Sequence, residues 1–195
     1  MSDEARNILL CGTGGQGILF ASEVICGAAL LAGFDVKKSE VHGMAQRGGS
    51  VSSHVRYGRK VWSPMIEAGR AHLVLALEKL EALRWAHFLR GDGMLLACDL
   101  EIMPLSVNTG QAEYPDVSAG LEAMGVPFRF LGAVEEAAGL GDPRVANTVM
   151  VGAAARWLGL PPGTLEESLR MRLPAKALAV NEAALQRGMQ LTAGV

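Results

Sequence analysis

The apolar positions of the chain begin with a strand, a glycine-rich loop and a helix. An apolar run at 7–12 that ends in glycine predicts a buried strand. Residues 18–33 are dense in apolar, helix-compatible side chains, and Gly33 is placed to end that helix. A second strand is predicted at 34–41. This β–loop–α–β order is typical of the start of a wound, parallel sheet.

The middle of the chain predicts that the sheet is mixed. Apolar and polar residues alternate over 50–58, and a two-residue turn at 58–59 leads to a further short segment at 60–64, which together predict a β-hairpin. An amphipathic helix is predicted at 79–90, followed by a turn at 91–93. Three continuous apolar runs predict buried strands. They lie at residues 71–78, 93–99 and 126–133.

Helices are predicted for the last third of the chain. Asp142 is placed to cap one helix, with a proline at the next position. Thr164 and Glu167 have the spacing of a capping box, and Pro174 opens a final helix that runs to about residue 189. We therefore expect one α/β domain over 1–195: a three-layer αβα sandwich with a Rossmann-like, mostly parallel but mixed sheet, a β-hairpin, and C-terminal helices at about 142–190 packed on it.

Composition narrows the class of protein. Half of the residues are apolar, 19% are charged, and the net charge is −2, so neither disorder nor general binding of nucleic acid or anionic membranes is expected. The polar N-terminus and the lack of a long uncharged apolar stretch predict no signal peptide and no membrane span, hence a cytoplasmic protein. A mean hydropathy of +0.24 favours an apolar surface that a partner covers.

The residues that commonly bind metals are scattered. Cys11, Cys26 and Cys98 form no C-x-x-C pair, and the four histidines lack ligand spacing, so we expect no disulfide framework, iron–sulfur cluster or other metal site on this chain. The Gly-Asp-Gly triplet at 91–93 begins a thiamine diphosphate–Mg²⁺ motif, but the asparagine pair that completes the motif downstream is missing. No thiamine site is expected on this chain either.

The first candidate site is the glycine-rich loop. Gly12, Gly14 and Gly17 match G-x-G-x-x-G between a strand and a helix, with Gly15 and Gln16 inside the motif. Glycines let the backbone approach phosphate oxygens, and a helix N-terminus offers N–H groups to an anion. Gln16 is expected to present an exposed amide to a ligand or a neighbouring subunit. The alternative is a tight strand-to-helix turn that needs glycine only for steric reasons.

The second candidate is the polar stretch SEVHGMAQRGGSVSSHVRYG at 39–58, which includes Glu40, His42 and Arg47. It combines proton-transfer groups, an arginine and adjacent glycines in a chain that is otherwise half apolar. A structural loop or a subunit contact remains an alternative for His42 and Arg47. Further along this stretch, His54 and Arg56 are expected to lie on a solvated strand face.

Both candidate sites lie in stretches that resemble a known protein family. GTGGQGILFAS, the 39–58 stretch and SPMIEAGRAHLVLALEKLEALR closely resemble the gamma-type domain of 2-oxoacid:ferredoxin oxidoreductases, most of all the beta subunit of the indolepyruvate enzymes. The resemblance runs from about residue 7 to 90 and resumes at 147–155. It implies oxidative decarboxylation of a 2-oxoacid to an acyl-coenzyme A, with electrons passed to ferredoxin. It also implies that thiamine diphosphate, Mg²⁺ and the iron–sulfur clusters belong to a larger alpha subunit.

Within this family, residue chemistry suggests roles for the candidate residues. Arg47 is expected to hold a carboxylate or phosphate, with Gly48 and Gly49 allowing a close approach. Glu40 and His42 are expected to transfer protons or donate hydrogen bonds near the substrate. Gln16 and the amides of residues 12–17 are expected to hold the pyrophosphate of coenzyme A or the backbone of the partner.

Two other function classes stay open at this point. One is a self-sufficient NAD(P)- or flavin-binding Rossmann enzyme that uses the glycine loop. The other is a non-catalytic interaction module whose polar loop docks a partner. The polar stretch favours the oxidoreductase subunit, because dinucleotide binding does not explain its histidine, arginine and glycines.

Overall fold

A computed structural model describes residues 5–42 and 49–194, without the side chain of His42. Its centre is a six-stranded sheet in the order β2-β3-β1-β4-β5-β6. The strands are β1 (Arg6–Thr13), β2 (Asp35–His42), β3 (Ser50–Gly58), β4 (Ala71–Ala76), β5 (Leu89–Cys98) and β6 (Phe128–Leu131). β3 pairs antiparallel with both of its neighbours, and the pairs β1–β4, β4–β5 and β5–β6 are parallel.

Helices cover both faces of this sheet. They are α1 (Ile18–Leu31), α2 (Lys79–Trp85), α3 (Leu105–Asn108), α4 (Val117–Ala123), α5 (Ala133–Gly139), α6 (Ala146–Leu158), α7 (Thr164–Arg172) and α8 (Ala175–Leu191). Short 3₁₀ turns at Ala86–Phe88 and Pro143–Val145 follow α2 and precede α6.

The alternation of β1 divides the interior into two apolar cores. Ile8 and Leu10 face a core shared with α1, α5, α6, α7 and α8, whereas Leu9 and Cys11 face a smaller core shared with α2 and α4. All four side chains are fully buried. The predicted α/β class, the mixed sheet and the three-layer arrangement are therefore confirmed.

The predicted hairpin turn at 58–59 is wrong. Residues 60–64 form no strand, and β3 pairs instead with β2, from His42 opposite Val51 to Asp35 opposite Gly58. Side chains bind the backbone of the segment after β3: the Val61 N–H donates to Asp35 Oδ2 at 3.0 Å, and Arg56 Nη1 donates to Ser63 O at 2.9 Å. Those backbone groups therefore need no second strand.

The pairing of β3 also separates β1 from β2. The sequence predicts a β–loop–α–β unit that opens a parallel sheet, but β3 lies between its two strands and is antiparallel to both. The end of β2 is therefore one strand further from the glycine loop than in a unit whose two strands are neighbours. This distance bears on the dinucleotide-binding alternative.

The predicted turn at 91–93 is also wrong, because these residues lie within β5. The strand begins at Leu89, directly after α2 and its short 3₁₀ turn, and its pairing with β4 shifts register between Ala71 and Leu73. A Cβ at Gly93 would lie 3.0 Å from Ala71 O and 2.7 Å from Leu89 Cδ1. Glycine at 93 therefore permits a close approach of two strands rather than a turn.

The observed helix ends agree in part with the capping residues predicted from the sequence. Asp142 accepts a hydrogen bond from the Arg144 N–H at 3.0 Å, as a cap does, and the final helix begins directly after Pro174. The predicted capping box is absent from α7: Gly163 is its N-cap, with φ of 82°, and the Thr164 hydroxyl donates to Pro161 O at 2.8 Å. Glycine in the left-handed region replaces the side-chain cap.

The C-terminal helices pack closely through glycine. A Cβ at Gly188 of α8 would lie 1.9 Å from Val149 O of α6, and one at Gly152 of α6 would lie 2.1 Å from Leu185 O of α8. Only glycine allows the two backbones to approach to this distance. Among the described residues, no helix combines the length and the apolar character that crossing a membrane requires.

Candidate functional site

The carboxyl ends of β1 and β4 form a crevice at one edge of the sheet. From β1 the chain enters α1 on one face, and from β4 it enters α2 on the other face. Such a switch point is where open α/β sheets bind ligands. A cavity of about 250 Å³ lies here, bordered by residues 15–17 of the glycine loop and by apolar side chains that include Leu77, Cys98 and Met150. Arg144, in the 3₁₀ turn before α6, and Asn147, in the first turn of α6, complete its wall.

The glycines of the loop are needed for steric reasons at two positions at least. A Cβ at Gly12 would lie 2.7 Å from Gln16 Oε1, and one at Gly17 would lie 2.2 Å from Asn147 Nδ2. Gly17 also has φ of 82° and precedes α1, whose first turn has no side-chain cap. These contacts support the interpretation that the loop is a tight turn that needs glycine for steric reasons. The N-terminus of α1 still provides N–H groups that can bind an anion.

Gln16 differs from the expected exposed amide. It is half-buried, its Oε1 accepts from the Thr13 N–H at 2.7 Å, and its Nε2 donates to Leu77 O at 2.7 Å. The side chain thus ties the loop to the end of β4. It borders the cavity, but both ends of its amide are already engaged within the chain.

The structure joins the glycine loop to the end of the polar stretch. The Gly14 N–H donates to Gly49 O at 2.9 Å, and the β1–β3 ladder continues directly with Thr13 opposite Ser50. Arg47 and Gly48 lie outside the described residues. The described end of the stretch therefore meets the loop through backbone contacts alone.

Glu40 and His42 lie on the far side of β3 from the loop. Glu40 is opposite Ser53 and His42 is opposite Val51 in the β2–β3 ladder. The Glu40 carboxylate pairs with Lys38 Nζ at 2.6 Å, and about a quarter of its side chain is exposed. Burial disfavours the charge of Lys38, but the hydrogen bond and the charge of Glu40 outweigh burial and raise the pKa of Lys38. Glu40 thus has an established ion-pair partner on its own strand.

The expectation of a solvated strand face at His54 and Arg56 is wrong. His54 is 2% exposed, packs edge-on against Phe88, and its Nδ1 accepts from the Ile66 N–H at 3.2 Å. Burial lowers the pKa of His54, which favours the neutral ring. Arg56 is half-buried, and its Nε donates to Asn7 Oδ1 at 2.9 Å.

A buried carboxylate beside the site was missed from the sequence. Glu81, in the first turn of α2, is 2% exposed, and its Oε2 accepts from the Ser50 hydroxyl and from Trp85 Nε1 at 3.2 Å. Arg84 Nη1 donates to its Oε1 at 2.7 Å. The available signal was an acidic residue just after the buried run of β4, at the carboxyl edge of the sheet. The sequence predicted only an amphipathic helix at 79–90 and gave Glu81 no role.

Comparison with known proteins decides the family. Residues 7–191 match the family described as pyruvate ferredoxin/flavodoxin oxidoreductase. The chain belongs to this family. It is 36% identical over 190 residues to the indolepyruvate oxidoreductase subunit IorB of Thermococcus kodakarensis, with 94% of each chain covered. It is 40% identical over 187 residues to IorB of Archaeoglobus fulgidus, with 93% of this chain and 92% of the relative covered.

Solved structures share the fold of this oxidoreductase-family chain. The keto/oxoacid ferredoxin oxidoreductase gamma subunit from Geobacter sulfurreducens has a TM-score of 0.73 at 22% identity, with 97% of this chain and 99% of that chain covered. The 2-oxoglutarate:ferredoxin oxidoreductase from Magnetococcus marinus, solved with 2-oxoglutarate, coenzyme A and succinyl-CoA, has a TM-score of 0.77 at 19% identity, with 100% of this chain and 32% of that chain covered. The predicted resemblance is confirmed.

The cysteines of this family member lie apart and inside the protein. Cys11 is in β1, Cys26 in α1 and Cys98 in β5, and all three are free and buried. Burial raises the pKa of all three thiols, to about 11 for Cys26 and Cys98. Thiols in this state resist deprotonation and ligation. Over residues 5–42 and 49–194, no cluster of three or more histidine, cysteine or acidic side chains is arranged to hold a metal ion.

Proposed function

We propose that this chain is the small subunit of an indolepyruvate-type 2-oxoacid:ferredoxin oxidoreductase. The complex converts an arylpyruvate, coenzyme A and oxidised ferredoxin into an acyl-coenzyme A, carbon dioxide and reduced ferredoxin. The observation that carries the proposal is the backbone contact between Gly14 and Gly49, which brings the two family motifs together beside the cavity. We place the complex in the cytoplasm.

In this proposal the cavity receives coenzyme A. The N–H groups of Thr13, Gly14 and Gln16 are engaged within the chain, so the N–H groups that face a phosphate are those of residues 15 and 17 and of the α1 N-terminus. Arg144 adds a cation at the rim. Leu77, Cys98 and Met150 provide apolar wall for the remainder of the molecule. Gln16 keeps the loop in place through its bonds to Thr13 and Leu77 rather than contacting the ligand directly.

The redox groups belong to a larger subunit in this proposal. Thiamine diphosphate with Mg²⁺ supplies the decarboxylation chemistry, and the iron–sulfur clusters carry the electrons to ferredoxin. The buried, separated cysteines of this chain do not fit cluster ligation, because ligands must be deprotonated and must converge. This chain therefore contributes binding and positioning.

We propose that three residues face an active site that this chain shares with the larger subunit. They are Glu40, His42 and Arg47. Arg47 holds a carboxylate or phosphate of a substrate, with Gly48 and Gly49 beside it. His42 provides a hydrogen bond or a proton. For Glu40 the ion pair with Lys38 supports a positioning role over proton transfer, because a paired carboxylate is a weak base.

Exposed apolar side chains support a protein partner. Trp62 is 86% exposed, and Leu105 and Met171 are more than half exposed. Large apolar residues on a surface mark contact areas when they lie together, and an obligate subunit hides them in its complex. We expect the chain alone to self-associate and its complex with the larger subunit to be monodisperse by light scattering.

The experiment is a coenzyme A titration of the assembled enzyme, in which ferredoxin reduction is followed with indolepyruvate and with phenylpyruvate. Arg144→Ala is expected to raise KM for coenzyme A about tenfold, the usual loss for one charge-assisted phosphate contact. Arg170→Ala is the matched control, since both arginines are exposed and paired with a carboxylate, Arg144 with Asp142 and Arg170 with Glu182, but Arg170 lies in the C-terminal helices and does not line the cavity. Equal KM values for coenzyme A in both variants would show that coenzyme A does not bind in this cavity.

The competing dinucleotide-binding enzyme is disfavoured by the sheet order. In dinucleotide-binding sites, an acidic residue at the end of the second strand forms a hydrogen bond with the ribose. In this chain, β3 separates the second strand, β2, from the glycine loop. Adjacent strands lie about 4.8 Å apart, so Glu40 is displaced by roughly a further strand width. Titration of the chain with NADH, NADPH and FAD tests this alternative, and tight binding of any of them would revive it.

A further inference from the structure

We propose that Glu81 is a positioning residue that holds the glycine loop in its binding geometry through Ser50 and Gly49. This inference rests on the proposed binding of coenzyme A in the cavity. Glu81 does not line the cavity, and the three side chains that donate to it, those of Ser50, Arg84 and Trp85, are not ones that we expect to bind a ligand.

The first step is the anchoring of Ser50. Glu81 is 2% exposed, yet it keeps a carboxylate in an apolar setting between β1 and α2. Three side chains direct hydrogen-bond donors at it: the Ser50 hydroxyl, Trp85 Nε1 and Arg84 Nη1. A buried carboxylate is costly without such donors, so the arrangement fixes the position of each donor.

The second step runs from Ser50 to the glycine loop along the backbone. Ser50 is the first residue of β3 and lies opposite Thr13, the last residue of β1. The residue before it, Gly49, accepts the Gly14 N–H at 2.9 Å. A shift of Ser50 therefore moves the carbonyl that holds Gly14, and with it the segment that borders the cavity.

A structural role in α2 alone would not need the contact with Ser50. Glu78, three residues earlier, already caps α2 by accepting the Glu81 N–H at 2.8 Å. Glu78 is 1% exposed and bonds to Tyr114 and to the Ile102 N–H, far along the chain from β3. Both carboxyl groups are buried at the start of α2, but among the described contacts it is Glu81 that accepts from Ser50. Glu78 is therefore a matched control.

The test uses Glu81→Gln, Ser50→Ala, Ser50→Thr and Glu78→Gln. Amide hydrogen exchange of the full chain reports on the loop without reference to activity. Glu81→Gln and Ser50→Ala are expected to speed exchange over residues 13–17 about tenfold, because a bond to a charged acceptor is replaced or lost. Glu78→Gln is expected to leave the exchange rate of residues 13–17 unchanged. Ser50→Thr is expected to keep the wild-type exchange rate, since threonine keeps the hydroxyl.

The second readout is KM for coenzyme A in the assembled enzyme, which is expected to rise about tenfold in the same two variants with little change in kcat. Loop exchange in Glu81→Gln equal to that in Glu78→Gln would overturn the inference. If Arg144→Ala raises KM while Glu81→Gln does not, the positioning role alone has failed. If neither variant changes KM, the coenzyme A proposal has failed, and this inference fails with it.

Discussion

Replacing Gln16 by glutamate should destabilise the protein through one contact. The Gln16 side chain accepts from the Thr13 N–H and donates to Leu77 O, both at 2.7 Å. Glutamate keeps the acceptor but places a second carboxylate oxygen against a carbonyl oxygen. One hydrogen bond contributes about 0.5–1.5 kcal/mol, and an unpaired carbonyl that is partly buried costs a further ~1 kcal/mol. The free energy of unfolding should therefore fall by about 2 kcal/mol, or roughly 4–8 °C in Tm for a chain of this size.

The pH dependence of this variant separates charge from shape. A carboxyl group facing a carbonyl favours its protonated form, so its pKa in the folded protein should lie above the unfolded value of about 4.3. The variant should therefore regain stability as the pH falls through the folded pKa. Gln16→Met, which loses both bonds without a charge, should be destabilised about equally at every pH. Urea unfolding at several pH values measures both. A Gln16→Glu midpoint equal to wild type at neutral pH would refute the importance of these bonds.

Three further predictions concern the framework around the site. Gly188→Ala should lower the free energy of unfolding by about 3 kcal/mol in urea titrations, because its Cβ would lie 1.9 Å from Val149 O; wild-type stability would contradict the close helix crossing. Tyr57→Phe should cost about 1–2 kcal/mol by the same measurement, since the Tyr57 hydroxyl donates to Leu158 O at 2.5 Å in the buried core, and an unchanged midpoint would show that this bond contributes nothing. Burial lowers the pKa of His54, so stability should be full above about pH 6.5 and fall as the pH drops below it, when the unfolded chain takes up a proton first. His54→Gln should flatten that slope in unfolding measured from about pH 7 to 5, and an unaltered slope would assign it to another group.

Local signals in the sequence predicted the elements around the glycine loop well. The run at 7–12 forms a strand, the helix starts after Gly17, and Gly33 follows the end of α1 with φ of 81°. These features depend on short-range rules: apolar burial, helix capping and positive φ at glycine. The same rules located the cap at Asp142 and the start of the last helix.

Strand pairing could not be predicted in the same way. The alternation at 50–58 is equally compatible with a partner before it or after it, and the choice of β2 depends on contacts such as Val61 with Asp35, which are distant in sequence. Burial on both faces of β3 also hides His54, whose polar character suggested solvent. Strand order is a tertiary property that periodicity does not encode.

The role of Glu81 illustrates why the candidate site was only partly predictable. Motif recognition selected residues 39–58 and the glycine loop, which meet directly through Gly49 and Gly14, but the side chain that anchors Ser50 beside this contact lies on α2. Helical periodicity treats a glutamate as a surface residue unless tertiary contacts bury it. Its function becomes visible only when the first residue of β3 is placed beside the first turn of that helix.

Reconstitution with the larger subunit tests the central claim most directly. The measurement is the rate of coenzyme A-dependent ferredoxin reduction with indolepyruvate, for the larger subunit alone and after this chain is added in equal amount. We predict negligible turnover by either chain alone and full turnover by the complex. Full, coenzyme A-dependent turnover by the larger subunit without this chain would contradict the account.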